Sequence, residues 1–280
     1  MKWLPEAESA LKKVPFFVRK KVRVRVEKEA AHAGRQVVGL SDVKATQKRY
    51  LNRMSSEIKG YQLDACFGSD GCPNRTIRSD GLFKKIEKAL EKADLLSFLR
   101  HHVGDNLKFH HEFRITMADC PNACSQPQIK DIGIIGACEP RIRDEVCSCC
   151  EACVDTCPDN AIKIDRNSEM PVINDRLCML CGRCIAVCPT GTIAENKRGF
   201  KVSLGGKLGR HPRLARGLPG IFNEDEVVEI VNACLDFYKQ HSRKGKRFAE
   251  IRVNGLPKFS SLPILKILPN VSIKKGDDIK

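Results

Sequence analysis

The chain has 280 residues, 42% of them hydrophobic, with a formal net charge of +15 and 15 cysteines. A chain of this length allows about one to three domains, while the odd cysteine count and the lack of an apolar signal core argue against a secreted disulfide framework. No apolar run approaches the ~20 residues that span a bilayer, so we expect a soluble, cytoplasmic protein whose thiols are metal ligands.

The basic charge raises nucleic acid as a partner. The chain contains only 12 Phe, 3 Tyr and 1 Trp, and it has no nucleic-acid recognition motif, so we predict no such partner. Metal centres bound through anionic thiolates would offset part of the positive excess, and the remainder suits an acidic protein partner.

Residues 1–57 contain no cysteine and many charged side chains. Residues 21–26 alternate as a strand does, but the flanking residues favour a helix. We predict a helix, because Pro15 suits a first helical turn and Gly34 suits a stop, and then a second helix from the cap-like Ser41 and Asp42 through Met54. The cations of the first helix are interpreted as a solvated face; they are Arg19, Lys20, Lys21, Arg23, Arg25 and Lys28.

A loose motif also runs through this N-terminal region. Its residues are Trp3, Pro15, Phe16, Arg19, Glu27, Ala30 and Gly34. The motif resembles the small helical domain at the end of a subunit of light-independent protochlorophyllide reductase, over about 45 residues. The resemblance implies a tetrapyrrole-enzyme context and assigns no chemistry.

Residues 61–143 alternate between strand and helix patterns. We predict strands at 62–66, 109–116 and 132–136, and one amphipathic helix at 82–100. The pairs Cys66/Cys72 and Cys120/Cys124 follow two of these strands, on loops where rigid backbone can aim side chains at a ligand. Four thiolates are what a 4Fe-4S cubane requires; the alternatives are a zinc site or buried free thiols. The histidine doublets at 101–102 and 110–111 are interpreted as ordinary surface or core residues.

The spacing of these four cysteines is specific. Five residues separate the first pair and three the second, with Pro121 and Asn122 inside the second pair and an apolar run after it. This pattern resembles the sirohaem and 4Fe-4S motif of the sulfite and nitrite reductases. The resemblance implies that Cys66, Cys72, Cys120 and Cys124 hold one cubane and that Cys124 also bridges to a sirohaem iron. It further implies that the sirohaem is bound by Cys124, Asn122, Arg114, Gly205 and Gly206.

The most specific signal lies at residues 147–189. The run Cys147, Cys150, Cys153 and Cys157, which ends in Pro158, recurs 31 residues later as Cys178, Cys181, Cys184 and Cys188, which ends in Pro189. Two-cluster bacterial ferredoxins have this pattern, and in them the fourth cysteine serves the other cluster. We therefore predict one cubane on Cys147, Cys150, Cys153 and Cys188 and another on Cys178, Cys181, Cys184 and Cys157. Eight thiols with two Cys-Pro endings argue against a zinc ribbon.

Three further cysteines stand outside these sets. Cys149 either competes with Cys150 as a ligand or, as we favour, is a spare thiol. Cys138 is unassigned. Cys234 lies on the apolar face of a predicted helix, where a free cysteine behaves as a small hydrophobe.

The segment after the ferredoxin motif resembles the sirohaem-contacting segment of the same reductases. A predicted strand runs to Leu204 and ends in two glycines, which leave room for a flat macrocycle. Cations here would hold cofactor carboxylates or polarise a bound oxyanion, and the predicted catalytic residues are Lys201, Lys207 and Arg210, with His211 nearby. The alternative is a basic hairpin turn.

The remaining elements complete an α+β fold. We predict a helix that begins with a capping box of Asn223 and Glu226 and runs through Gln240, a closing strand at 247–253 and an extended proline-rich tail. The predicted division is a helical domain at 1–57, a sirohaem-reductase-type mixed α/β half-domain at 58–144 and 190–255, an inserted two-cluster ferredoxin module at 145–189, and a tail at 256–280.

The cysteine motifs and the resemblance are compatible with two functions. The first is an oxidoreductase that passes electrons from a low-potential donor, ferredoxin-like or a reductase subunit, through three 4Fe-4S clusters to sirohaem and so to sulfite or nitrite. Larger members of the resembled family enclose the sirohaem between two halves, and only one half occurs here, which implies a homodimer, a partner subunit or a minimal single-half arrangement. The second is a sirohaem-free electron-transfer or assembly protein.

Overall fold

The computed structural model describes residues 1–104 and 107–251. It divides into two compact units, Met1–Ile58 with Val103–His110, and Lys59–His102 with His111–Lys280. The tail expected at 256–280 lies outside the described residues. In the part of the chain that the structure describes, no helix is long and apolar enough to cross a membrane.

The first unit is a helical bundle with a very small sheet. Its helices are α1 (Pro5–Lys12), α2 (Phe16–His32) and α3 (Leu40–Ser56), and the strands β1 (Lys2–Trp3) and β2 (Val37–Val38) pair in parallel. The helix expected across residues 21–26 is confirmed. The alternating residues do not form a strand, and one side of α2 is buried, through Val26 and Ala30. These pack with Trp3, Ala7, Leu11, Val38 and Val43 into one apolar cluster.

The second unit is built on a five-stranded sheet in the order β3-β4-β5-β8-β9. Its strands are β3 (Tyr61–Ala65), β4 (Phe113–Ala118), β5 (Ile132–Ile142), β8 (Ile193–Leu204) and β9 (Arg216–Gly217). The first three are parallel to one another, and β8 and β9 run antiparallel to their neighbours. This mixture of helices and a mixed sheet confirms the α+β fold class.

Three helices accompany this sheet: α4 (Asp80–Ala93), α5 (Leu95–Val103) and α8 (Glu224–His241). The expected capping box of α8 is confirmed, with Asn223 accepting the Glu226 N–H at 2.9 Å and donating its own N–H to the Glu226 carboxylate at 2.7 Å. The single helix predicted at 82–100 is wrong. Asp94 adopts a left-handed conformation (φ 44°) and divides it into α4 and α5. Both halves keep apolar residues buried, so the pattern continued across the break.

Two other predicted strands need correction. Residues Phe109–His111 form a 3-10 turn, and β4 begins only at Phe113, which pairs with Tyr61, the first residue of β3. The described part of the strand expected at 247–253 is also a 3-10 turn, Phe248–Glu250. It folds back because Phe248 is buried against Phe113, at a ring distance of 5.3 Å.

The ferredoxin-like insert is carried between β5 and β8. It contains the hairpin β6 (Ile162–Asp165) and β7 (Met170–Ile173) and two short helices, α6 (Ala152–Asp155) and α7 (Arg183–Val187). Its small core joins Cys153 of the first cysteine run with Cys184 of the second, and Ile162 of β6 and Ile193 of β8 pack with them. The two halves of the insert therefore fold around each other and form one module.

Candidate iron–sulfur centres

The first set of cysteines lies at the carboxyl edge of the parallel strands. Cys66 directly follows β3, and Cys120 follows β4 by two residues. The strands hold these positions together, because the Cys66 N–H donates to the Met117 carbonyl at 2.9 Å and the Asp119 N–H donates to the Cys66 sulfur at 3.2 Å. Two cysteines from distant parts of the sequence thus reach one end of the sheet.

Backbone hydrogen bonds bring Cys72 and Cys124 to the same end of the sheet: the Thr76 N–H, after Cys72, donates to the Asp119 carbonyl at 2.9 Å, and the Ala123 N–H, before Cys124, donates to the Cys120 carbonyl at 3.2 Å. Burial raises the pKa of the Cys120 thiol; the Asn122 N–H opposes this rise, and nearby Cys72, Cys124 and Cys66 add to it. Cys120 is buried and Cys124 is exposed, so the group has a closed side and an open side. The structure brings these four cysteines together, as the spacing predicted; their role as ligands stays a prediction. We refer to Cys66, Cys72, Cys120 and Cys124 as the sheet set.

The second set surrounds a cavity in the insert. The cysteines that line it are Cys147, Cys150 and Cys153 from the first run and Cys188 from the second. Hydrogen bonds from the Ala152 backbone and the Ser148 side chain lower the pKa of the exposed Cys150 thiol. The Ile193 N–H donates to the Cys188 sulfur at 3.4 Å. We refer to these four cysteines as the outer set.

The third set is the reciprocal combination. A second cavity is lined by Cys178, Cys181 and Cys184 from the second run and by Cys157 from the first. Burial raises the pKa of Cys184 to about 12, with Cys181, Cys178 and Cys157 adding to the rise. The Ala161 N–H donates to the Cys157 sulfur at 3.3 Å. We refer to these four cysteines as the inner set; each run supplies its fourth cysteine to the other cavity, the arrangement expected from sequence.

The donor sets fit 4Fe-4S clusters chemically. Each set offers four thiols, the number that a cubane takes, one for each iron. Among the described residues, no three His, Cys, Asp or Glu side chains lie close enough together to hold a single metal ion. The backbone N–H groups that point at sulfur in all three sets stabilise thiolate charge, as metal ligation requires.

The three remaining cysteines lie outside these groups. Cys149 does not line the outer cavity; it is exposed, and its thiol donates to the Glu169 carbonyl at 3.4 Å. Cys234 is fully buried in α8, in keeping with a small apolar residue. Cys138 is buried on β5, and its backbone pairs with that of Cys181, an inner-set cysteine, as an isolated β-bridge.

Comparison with known families agrees with this chemistry. The nitrite and sulphite reductase 4Fe-4S domain family matches residues 61–261. This chain belongs to that family. A second match, at residues 3–46, is to the family described as the proto-chlorophyllide reductase 57 kD subunit. Both resemblances expected from sequence are therefore confirmed.

Relatives within this reductase family are larger proteins. The coenzyme F420-dependent sulfite reductase of Methanocaldococcus jannaschii is 33% identical over 187 residues, covering 65% of this chain and 27% of that protein. A component of the anaerobic sulfite reductase of Salmonella typhimurium is 26% identical over 105 residues, covering 38% of this chain and 26% of that component. The chain thus spans about a quarter of the length of these relatives. A crystal structure of dissimilatory sulfite reductase I aligns with a TM-score of 0.46 at 14% identity, over 75% of this chain and 52% of that chain.

The predicted cofactor and substrate residues of this reductase domain are more dispersed. Lys201 is exposed on β8, in register with Ile135, and Arg210 is exposed in the loop after β8. The Lys207 ammonium pairs with Glu250 at 3.0 Å. Asn122 is exposed beside Cys120. The structure thus pairs one of the three expected catalytic cations with a carboxylate and leaves the other two at the surface.

Arg114 and the glycine pair lie beside the loop that follows Cys124. The Arg114 N–H donates to buried Asp131 at 3.0 Å. Gly205 has a φ of 79°. A Cβ on Gly206 would lie 2.5 Å from the Gln128 carbonyl oxygen, so this glycine is required by close packing of the protein itself. Roles for these residues beside sirohaem stay a prediction.

Sequence reasoning missed the residues that connect the sheet set to the insert. Thr76 and Asn74 follow Cys72 and contact Cys181 and Arg183 of the insert. One signal was present, because both cysteine pairs of the sheet set contain the tripeptide Cys-Pro-Asn, at residues 72–74 and 120–122. The repeat marks two loops of similar local design, but it does not say which of them meets the insert.

Proposed function

We propose that this reductase-family chain is an iron–sulfur oxidoreductase that moves electrons through the outer and inner sets to the sheet set, and from there to sirohaem and a small oxyanion, sulfite or nitrite. The observation that carries the proposal is the sorting of the 12 motif cysteines into three groups of four, two of them around separate cavities of one module. Several low-potential centres in one chain suit stepwise delivery of electrons.

When bound, the clusters supply one-electron storage and the sirohaem supplies the multi-electron reduction of the oxyanion. The chain's own residues hold and tune them. The Asp119 N–H donates to the Cys66 sulfur and stabilises thiolate charge at the sheet set. Cys124, the exposed member of the sheet set, would hold the cubane and the sirohaem together. Exposed Lys201 and Arg210 supply positive charge for an anion.

The proposal includes partners and a domain division. A low-potential donor, ferredoxin-like or a reductase subunit, would reduce the insert, and a second copy or a partner subunit would complete the oxyanion site. We retain the division into 1–57, 58–144 with 190–255, 145–189 and 256–280. The N-terminal unit is assigned to the tetrapyrrole-enzyme context of the family that it matches.

The deciding experiment is anaerobic purification followed by iron analysis and visible spectroscopy. We expect about twelve irons per chain, at four per cubane, and absorption bands of sirohaem in addition to the broad iron–sulfur absorption. Reduced donor should be oxidised only when sulfite or nitrite is added. About eight irons would remove the sheet cluster from the proposal, and protein without sirohaem bands or oxyanion-dependent oxidation, even after reconstitution, would refute the reductase function.

A second candidate is an electron-transfer or assembly protein that keeps the clusters and binds no sirohaem. The observation that favours it is the state of the expected oxyanion segment, where Lys207 is already paired with Glu250 and Gly206 is packed against the Gln128 backbone. The same spectrum separates the two candidates, because this protein would show about twelve irons with no sirohaem bands.

A further inference from the structure

The inner set lies directly against the sheet. The Cys138 N–H on β5 donates to the Leu180 carbonyl at 2.7 Å, and the backbones of Cys138 and Cys181 form an isolated parallel β-bridge. Gly182 fits here because it has a φ of 74° and because a Cβ would lie 2.9 Å from the Cys138 Cβ. This part of the insert is therefore fixed to the sheet by backbone bonds as well as by the chain ends.

The loop between Cys72 and α4 reaches the same place. The Thr76 hydroxyl donates to the Cys181 carbonyl at 3.1 Å, and the Arg183 guanidinium donates to the Asn74 side chain. Arg198 on β8 donates to the Thr76 carbonyl. Thr76 is buried, with 7% of its surface exposed, so its hydroxyl and carbonyl lie largely within the protein.

From Thr76 the same path continues to the sheet set. The Thr76 N–H donates to the Asp119 carbonyl at 2.9 Å, and Asp119 is the residue before Cys120. A path of two hydrogen bonds thus runs from Cys181, an inner-set cysteine, through Thr76 and the Asp119 carbonyl group to Cys120, a sheet-set cysteine. The outer set is more exposed: Cys150 is exposed, and Val146, the residue before Cys147, is 84% exposed.

We propose that Thr76 is the bridge by which electrons pass from the inner set to the sheet set, so that the order of the relay is outer, inner, sheet. The inference deepens the proposed function and rests on it. The step moves one electron and no atoms: the centre held by the inner set is oxidised, the centre held by the sheet set is reduced, and the reductant is the low-potential donor that reaches the outer set.

The physical argument concerns electronic coupling. Electron tunnelling decays more steeply across an empty gap than across covalent bonds, and a hydrogen bond lies between these limits. Removing the Thr76 hydroxyl replaces a 3.1 Å contact with the Cys181 carbonyl by a longer gap on this path. The distance between the centres and their potentials should change little, because the other junction contacts, through Arg183 and Cys138, remain.

The test uses cluster-loaded protein and three variants. Thr76→Val removes the hydroxyl and keeps the branched shape, and Thr76→Ser keeps the hydroxyl. Thr116→Val is the matched control, because it removes another threonine-to-carbonyl hydrogen bond of 3.1 Å, to Asp64, which joins β3 and β4 and is not on this path. Each protein is mixed with reduced donor and frozen at intervals, and electron paramagnetic resonance follows reduction of each centre. The sheet signal is assigned by its loss in Cys120→Ser.

We expect Thr76→Val to slow reduction of the sheet centre several-fold, with unchanged iron content, unchanged potentials and an unchanged rate at the insert. Thr76→Ser should restore the parent rate, and Thr116→Val should keep it. A parent-like rate in Thr76→Val, or equal slowing in Thr116→Val, would overturn the proposed role of Thr76 in electron transfer. The proposed function fails separately, if reduced insert centres in the parent pass no electrons to the sheet centre.

Discussion

The exchange of fourth cysteines between the two runs gives a sharp prediction. Cys157 belongs to the first run by sequence but lines the cavity of the second run, where it is half-buried and accepts the Ala161 N–H. Cys157→Ala should therefore remove a ligand from the inner cluster and leave the outer cluster with its four thiolates. Cys188→Ala should do the reverse.

The expected size of the effect comes from counting ligands. Each variant should lose about four of about twelve irons, because a cubane with three thiolates is the one that is damaged. The protein should still fold, since Cys→Ala removes a single sulfur from a module that keeps its Ile162 and Ile193 core. Cys149→Ala is the matched control: this exposed thiol lines neither cavity, and its loss should cost no iron.

The assay is iron analysis together with electron paramagnetic resonance of the reduced, anaerobically purified variants. Cys157→Ala should lose the signal of the inner cluster and keep that of the outer cluster, and Cys188→Ala should do the reverse. If Cys157→Ala damaged the cluster of Cys147, Cys150 and Cys153 and spared the other, the exchange of fourth ligands between the two runs would be refuted. Iron loss in Cys149→Ala equal to that in Cys157→Ala would refute the assignment of Cys149 as a spare thiol.

Three further predictions follow. Cys124→Ser should abolish oxyanion-dependent turnover while a low-potential donor still reduces both insert clusters; turnover at the parent rate would contradict a shared thiolate. Gly206→Ala should destabilise the protein by about 1–3 kcal/mol through overpacking, whereas Gly217→Ala, with open space at its Cβ, should not; equal melting temperatures would contradict this. Burial, opposed by Arg247 and backbone N–H groups, raises the pKa of Asp131 to about 6. Stability should therefore fall as pH rises from about 4 to 6, and a parent-like slope in Asp131→Asn would contradict the assignment.

The cysteine sets of the insert were predictable because most of their geometry is local, whereas the sheet set, drawn from residues 66–124, was predicted from its resemblance to the reductase motif. Within each run the ligands stand three residues apart, so a short turn brings them to one centre, and the two Cys-Pro endings identify the module. The capping box of α8 was predictable for the same reason, since Asn223 and Glu226 are one helical turn apart and each satisfies the other's backbone N–H.

Features that depend on distant partners could not be read in this way. Residues 82–100 keep a helical apolar pattern through Asp94, and only the left-handed backbone there ends α4. Thr76 meets Cys181 across 105 residues of sequence, and no local pattern marks either residue as a contact. Gly206 looked like space for a cofactor, although the Gln128 backbone fills that space.

The proposed electron transfer depends on where the insert lies. β5 and β8 pair from Ile132 with Leu204 to Ile142 with Ile193, beyond the part of β5 that also pairs with β4. At about 3.4 Å per residue, this extension forms a two-stranded arm with one irregularity in its register, between Glu139 and Pro140. Tunnelling rates depend steeply on distance, so a module joined by flexible linkers would pass electrons unevenly. The arm has a ladder of backbone hydrogen bonds. The hydrogen bond from Cys138 to Leu180, near the midpoint of the arm, attaches the inner set to it and so fixes the inner set against the sheet.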